Sequence, residues 1–146
     1  MHKLILFLIF ITICSLLQAQ NKQNNTSISS ETWKILSDVK FRLRDDYYTP
    51  QFGDRVKALQ GKSVEITGYI YPFEQTRWSK HFALSSLSLN ACFFCGVGGP
   101  ETVVEVEAHS PIKQSEDPIR IRGTLILNSQ DPEKMIYIIR NAVVTE

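Results

Sequence analysis

The stretch Val64-Glu65-Ile66-Thr67-Gly68-Tyr69-Ile70-Tyr71 decides the fold of this chain. Its apolar and polar residues alternate, which is typical of a strand with one buried face. Gly68 interrupts it, and a glycine in mid-strand indicates a bulge or a sharp bend. The same pattern returns in Ile119-Arg120-Ile121-Arg122-Gly123-Thr124-Leu125. Two strands that share this alternation and a mid-strand glycine therefore predict a strongly curved sheet.

Three more strands are predicted at residues 81–85, 102–107 and 135–144, the last with a break near Asn141. Turn residues bound each of them. In a five-stranded OB-type barrel the first and fourth strands are neighbours, and the first bends to serve both sides. The prediction is a mainly β protein, a small five-stranded OB-like barrel with short N-terminal helices. A five-stranded open sheet is the alternative, but closure removes exposed edges.

The segment before the barrel predicts two short helices around one strand. The first helix turns Trp33 and Leu36 inward. Residues 39–44 alternate between apolar and basic side chains, which indicates a strand. Thr49-Pro50 then opens the second helix, which turns Val56 inward.

The N-terminus predicts a secretory signal peptide. A basic start precedes an apolar run at 4–17 that is too short to span a bilayer with ease. We predict a signal peptide at 1–19, a flexible leader at 20–30 and a single OB-like barrel domain at 31–146, with no transmembrane segment after signal removal. An uncleaved N-terminal anchor is the alternative. The expected location is the periplasm or the exterior.

The charge balance argues against a nucleic-acid partner. The full chain has a formal charge of +1, which falls to about 0 once Lys3 leaves with the signal peptide. A chain without a basic excess does not attract phosphates over long range.

The stretch Cys92-Phe93-Phe94-Cys95-Gly96 predicts a metal site between the second and third barrel strands. Two thiolates at this spacing form half of a zinc knuckle. Glu101 is the one nearby acid and a possible third ligand. Two chains meeting at this loop would supply four thiolates, so a homodimer through it is possible. Zinc is favoured, while copper(I) or haem is less favoured.

Two other interpretations of the cysteines stay open. Thiols outside the cytoplasm tend to oxidise, so a Cys92–Cys95 disulfide could simply shape the loop. A redox role is the other, although catalytic pairs usually sit at a helix N-terminus rather than in a β–β loop. No serine-hydrolase or metalloprotease motif occurs, and the interpretation is that the chain is not an enzyme.

Three further expectations concern polar side chains on the strands. His81 and His109 are expected to face each other at the far end of the hairpin from the cysteines. Glu105 and Glu107 share one strand face and are expected to be solvated. Arg120 and Arg122 are expected to balance them on a neighbouring strand.

The order of these segments resembles one known family. The pieces are Leu59-x-Gly61-Lys62-x-Val64-x-Ile66-x-Gly68-Tyr69-Ile70, Phe82-Ala83-Leu84, Ala91-Cys92-Phe93-Phe94-Cys95-Gly96, Gly99-Pro100-Glu101-Thr102-Val103-Val104 and Ile121-x-Gly123-Thr124-Leu125. Over about residues 33–145 the chain resembles the exported bacterial proteins of domain of unknown function 3299, in their Bacteroidota-type variant. The resemblance implies an exported OB-like barrel without an assigned activity. Wider relatives carry Cys-x-His where this chain has Cys92 and Cys95.

Together these patterns predict an exported binding module that takes a metal ion through Cys92 and Cys95. Its role would be metal delivery or an envelope or transport function, with a metal ion or an envelope or transport protein as partner. The first alternative is a non-enzymatic protein–protein interaction domain with a structural disulfide. The second is a thiol–disulfide redox protein.

Overall fold

The structure, a computed structural model, describes residues 31–44, 47–88 and 98–145. The predicted signal peptide at 1–19, the leader at 20–30, and Cys92 and Cys95 lie outside the described residues. No helix within the described residues is long and apolar enough to cross a membrane.

Seven strands and three short helical segments make up the described chain. The helical segments are α1 at residues 31–36, α2 at Asp54–Lys57 and a 3₁₀ turn at Pro100–Thr102. The strands are β1 Val39–Arg44, β2 Tyr47–Phe52, β3 Ser63–Pro72, β4 Trp78–Ser85, β5 Val103–Lys113, β6 Ile119–Leu127 and β7 Tyr137–Val144.

Five of the strands close into a barrel in the order β3-β4-β5-β7-β6. The β5–β7 pair is parallel, and every other neighbouring pair is antiparallel. The first barrel strand, β3, pairs with both the second and the fourth. This closed five-stranded mixed barrel confirms the predicted mainly β, OB-like fold. Strand β5 continues to Lys113, well beyond the predicted end at 107.

Gly68 marks the residue at which β3 changes neighbours. Residues 63–68 pair with β6, and residues 69–72 pair with β4. A Cβ atom at Gly68 would lie 2.5 Å from the carbonyl oxygen of Ser85 and 2.9 Å from Leu84 Cγ. Because the backbones of β3 and β4 approach so closely here, only glycine fits at the position where the sequence predicted a bend.

Gly123 lies at a second irregularity of the barrel, a register shift between β6 and β7. The β6–β7 register shifts between Arg122 and Thr124, and Asn141 on β7 adopts a left-handed backbone with φ of 53°. A Cβ at Gly123 would lie 2.8 Å from the carbonyl oxygen of Arg140. The extra residue of a β-bulge bends the strand, which agrees with the predicted break near Asn141.

The barrel core extends to α1 and α2. Trp33 and Leu36 of α1 and Val56 of α2 are buried in the same apolar cluster as the inward-facing barrel residues. The indole N–H of Trp33 donates to the carbonyl oxygen of Thr67 at 2.8 Å. The hydroxyl of Tyr137 donates to the carbonyl oxygen of Leu36 at 2.6 Å, so α1 is fixed at both of its inward residues.

The prediction of a helix opening at Thr49-Pro50 was wrong, because these residues belong to strand β2. Strands β1 and β2 form a separate antiparallel two-stranded sheet, with Phe41 opposite Pro50 and Arg44 opposite Tyr47. We call this pair of strands the ribbon. Proline is tolerated in a strand that has an unpaired edge, since its missing N–H breaks no ladder bond there. Helix α2 begins only at Asp54.

Candidate ligand-binding site

The loop at 128–136, between β6 and β7, is held in shape by one side chain. The amide nitrogen of Asn128 donates to the carbonyl oxygens of Asp131 at 2.7 Å and of Lys134 and Met135 at 3.2 Å each. Its amide oxygen accepts the N–H groups of Gln130 and Asp131. A polar loop is thereby ordered without a core of its own.

This loop covers one flank of the outer face of β4 and β5. Two adjoining hollows of about 290 and 280 Å³ lie there and share His81, Glu105 and Glu133. We call them together the histidine cleft. Their other lining residues are Phe73, Glu107, Asp131, Lys134 and Met135. In OB barrels the face of the second and third strands, between the 1–2 and 4–5 loops, is the ligand-binding face.

Glu105 connects three segments of the chain at the floor of this cleft. Its side chain is only 6 % exposed. One carboxylate oxygen lies 2.8 Å from Nε2 of His81 on β4, and the other accepts the N–H of Met135 in the 128–136 loop at 3.1 Å. A buried carboxylate requires such partners, because its desolvation would otherwise be costly.

The expectation that Glu105 and Glu107 form a solvated face was wrong for Glu105, which is buried, and Glu107 is only partly exposed. The outer face of β5 is not open to solvent here, because the 128–136 loop lies over it. The expected partners were also wrong. Arg120 and Arg122 both pair with Glu65 on β3, at 3.8 and 2.8 Å.

The ring of His81 is oriented from two sides. Phe73 meets it edge to face, with ring centroids 4.7 Å apart, and Glu105 holds Nε2. A carboxylate at Nε2 favours the tautomer with its proton on that nitrogen. Nδ1 has no hydrogen-bond partner within the described residues, and the side chain is 57 % exposed. The neutral ring therefore offers an acceptor to a ligand, and the protonated ring a donor.

The rim of the cleft is predominantly acidic. Glu107 is neutralised by Lys134 Nζ at 3.3 Å and by Arg140 Nε at 3.1 Å. Asp131 and Glu133 are exposed, and neither forms an ion pair within the described residues. The cleft therefore suits a ligand that brings positive charge or hydrogen-bond donors.

The two histidines do not face each other. His81 lies opposite Glu107 in the β4–β5 ladder, and the register shifts between Ser79 and His81. His109 lies two residues after Glu107, in the part of β5 where this register shift occurs, and it does not line the cleft. The prediction assumed a hairpin symmetric about residue 95, and the observed ladder is offset by two residues.

Of the three predicted metal ligands, only Glu101 lies within the described residues. Cys92 and Cys95 lie outside the described residues. Glu101 lies in the 3₁₀ turn before β5, and its carboxylate folds back beside Gly99. Within the described residues, no group of three or more His, Cys, Asp or Glu side chains could hold a metal ion.

The fold and the cleft define an OB-like barrel protein with a concave site at its usual ligand-binding face. No family model, no curated protein and no solved structure matches the chain. The resemblance to domain of unknown function 3299 therefore stays a prediction, and the function has to be argued from the site.

Proposed function

We propose that this chain is a non-enzymatic binding module that takes a positively charged, partly apolar group in the histidine cleft. The pair formed by the buried Glu105 and the exposed His81 carries the proposal, since Glu105 orients the His81 ring in a concave site. This corresponds to the interaction-domain alternative predicted from the sequence, with an envelope or transport protein as the partner that would supply a basic segment.

The chemistry of the walls supports this ligand class. Asp131 and Glu133 supply negative charge at the rim, where a lysine or arginine side chain would find a carboxylate. Phe73 is 47 % exposed as a whole residue, and its ring offers its face to a cation or its surface to an apolar stem. Met135 adds an adaptable apolar contact.

A pair of matched peptides tests the proposal. The purified isotope-labelled chain is titrated with N-acetyl-Phe-Lys-amide and with N-acetyl-Phe-Glu-amide, while backbone NMR shifts are followed. We expect saturable shifts around His81 with the lysine peptide only. E133Q should weaken that binding a few-fold, as expected for one exposed charge pair. E116Q changes an exposed acid outside the cleft and should leave binding unchanged.

H81A should weaken binding about tenfold, in line with the loss of one hydrogen bond to a charged group. Equal binding of both peptides, or no saturable shift in the cleft, would overturn the proposal. So would an equal effect of E133Q and E116Q, because binding would then follow net charge alone.

Metal binding through Cys92 and Cys95 is the second candidate, with zinc favoured, in metal delivery or an envelope function. One described feature favours it: the ends of the cysteine-bearing loop are joined, because Ser86 N–H donates to the carbonyl oxygen of Thr102 at 3.0 Å. Glu101 lies next to this junction, where it could serve as the possible third ligand. Export to the periplasm or exterior, and a homodimer through this loop, belong to the same proposal.

Metal and free thiols are to be counted on the same oxygen-free sample, purified from the periplasm, beside a Cys92→Ser/Cys95→Ser variant. One equivalent of zinc or copper per chain, lost in the variant, supports the site, and half an equivalent supports a shared dimer site. Retention of metal by E101Q would remove Glu101 as the third ligand. Absence of both metal and free thiols would leave the structural disulfide.

A further inference from the structure

A second cleft lies on the other side of the 128–136 loop, between that loop and the ribbon. Its volume is about 410 Å³, within the roughly 300–1,000 Å³ range of small-molecule sites. We call it the ribbon cleft. The ribbon lines it with Arg44, Tyr47 and Tyr48, and the loop lines it with Ser129, Gln130, Asp131 and Lys134. We infer that the ribbon cleft binds an anionic carbohydrate, a sugar whose carboxylate pairs with Arg44 and Lys134.

Two cations define the charge preference. Arg44 is exposed and forms no ion pair within the described residues. A guanidinium presents a planar fork of donors that matches a carboxylate. Lys134 lies on the opposite wall, although its ammonium is paired with Glu107 in the structure. One acid, Asp131, also lines the cleft, so the charged side chains of the lining are two cations and one carboxylate.

Lys134 can serve this cleft without leaving an unpaired carboxylate behind. Its ammonium lies 3.3 Å from Glu107, on the side of the histidine cleft. When the lysine turns toward a ligand in the ribbon cleft, Glu107 keeps Arg140 at 3.1 Å. The exchange therefore replaces one ion pair with another, and the negative charge of Glu107 stays compensated.

The remaining walls favour a sugar over a simple anion. Tyr47 and Tyr48 are 69 % and 72 % exposed as whole residues. Rigid aromatic rings of this kind offer flat apolar surface with a polar tip, which suits the alternating C–H and hydroxyl groups of a sugar ring. Ser129 and Gln130 are exposed beside them and can exchange hydrogen bonds with hydroxyl groups.

The two clefts share Asp131 and Lys134, but only the ribbon cleft has a wall formed by the ribbon, which is not part of the barrel. Its preferred charge is also opposite to that of the histidine cleft. The test of one site can therefore fail while that of the other succeeds.

The probe is trigalacturonate, with its neutral methyl ester and inorganic phosphate as comparison ligands, titrated into the purified full chain by calorimetry and NMR. We expect saturable binding of trigalacturonate, with shifts at Tyr48 and Gln130, and much weaker binding of the methyl ester. R44Q should weaken binding about tenfold, as expected for the loss of one charge-assisted contact. Tyr48→Ala should weaken it similarly.

Arg42→Gln is the matched control. Arg42 lies on the same strand, two residues from Arg44, is exposed and does not line the cleft. Unchanged binding in R42Q together with a loss in R44Q supports the site. Equal losses in the two variants would overturn it, since binding would then follow the general charge of β1. Absence of saturable binding would overturn it as well, and phosphate binding as tight as that of trigalacturonate would overturn the recognition of a sugar.

Discussion

One carboxylate oxygen of Glu105 lies 2.8 Å from Nε2 of His81, although the two residues are 24 positions apart in the chain. The other oxygen of the same carboxylate accepts the N–H of Met135. A single buried acid on β5 thus orients the one histidine of the cleft and attaches the 128–136 loop to the barrel. The loop in turn forms a wall of both clefts.

Removing this acid should cost stability and loosen the loop. Glu105→Ala leaves the Met135 N–H without its partner, so we expect a loss of about 1–3 kcal/mol in the free energy of unfolding. Glu105→Gln keeps the size and one acceptor and should lose less. Denaturant unfolding measures both. E116Q, a change at an exposed acid, provides the baseline, and a Glu105→Ala variant as stable as E116Q would contradict the assignment.

Gly68 should not accept even one methyl group. In Gly68→Ala the new Cβ meets the carbonyl oxygen of Ser85, which is backbone and cannot turn away. Overpacking of this kind typically costs about 1–3 kcal/mol. Thr67→Ala, on the same strand, serves as the comparison in thermal unfolding. Equal melting temperatures for the two variants would mean that the β3–β4 approach is looser than described.

The stability of the protein should fall in strong alkali because of Tyr137. Burial, followed by the negative charges of Glu101 and Asp38, raises the pKa of this phenol above its usual value. The unfolded chain therefore releases the proton first, once the pH passes about 10, and the folded state loses stability from there upward. Below pH 9 this contribution should be constant.

Tyr137→Phe isolates that effect. The variant loses the hydrogen bond to Leu36, which costs about 1–3 kcal/mol at neutral pH when the carbonyl is left unpaired. Its stability should then decline less between pH 9 and 11 than that of the natural chain, measured by denaturant midpoints. Parallel declines would show that Tyr137 does not titrate differently in the two states.

Loss of the Asn128 side chain should loosen the 128–136 loop, which lines both clefts. Asn128→Ala removes all five hydrogen bonds that its side chain makes within the 128–136 loop, and a loss of about 1–3 kcal/mol is expected. Asn128→Asp keeps the accepting oxygen but turns a carboxylate oxygen toward three carbonyl oxygens, so it should lose at least as much as Asn128→Ala. Faster amide exchange at Lys134 and Met135 would report the loosened loop. Gln130→Ala, which removes a side chain without such bonds, should leave that exchange rate unchanged.

Strands β3 and β6 could be predicted from the sequence because their information is local. Alternation sets the buried face, and a glycine between apolar residues signals a bend. Strand β1 was predicted at residues 39–44, and the structure confirms it, but its partner β2 was missed, since Asp45, Asp46 and Pro50 are breakers by propensity. A strand with an unpaired edge tolerates the proline, but only the pairing with β1 shows that this edge exists.

The sequence by itself determined the alternating barrel strands and their mid-strand glycines, because these are local patterns, and it favoured a barrel over an open sheet. The pairing of distant strands in the tertiary structure decided that the sheet closes. Only the tertiary structure decided that Glu105 is buried. Its place on β5 predicts an outward side chain, which is correct, but the loop that covers it comes from residues 128–136. Because the 128–136 loop lies over Glu105, it also forms a wall of each of the two clefts. Burial of an outward side chain is a property of what packs over it, and this is encoded far away in the chain.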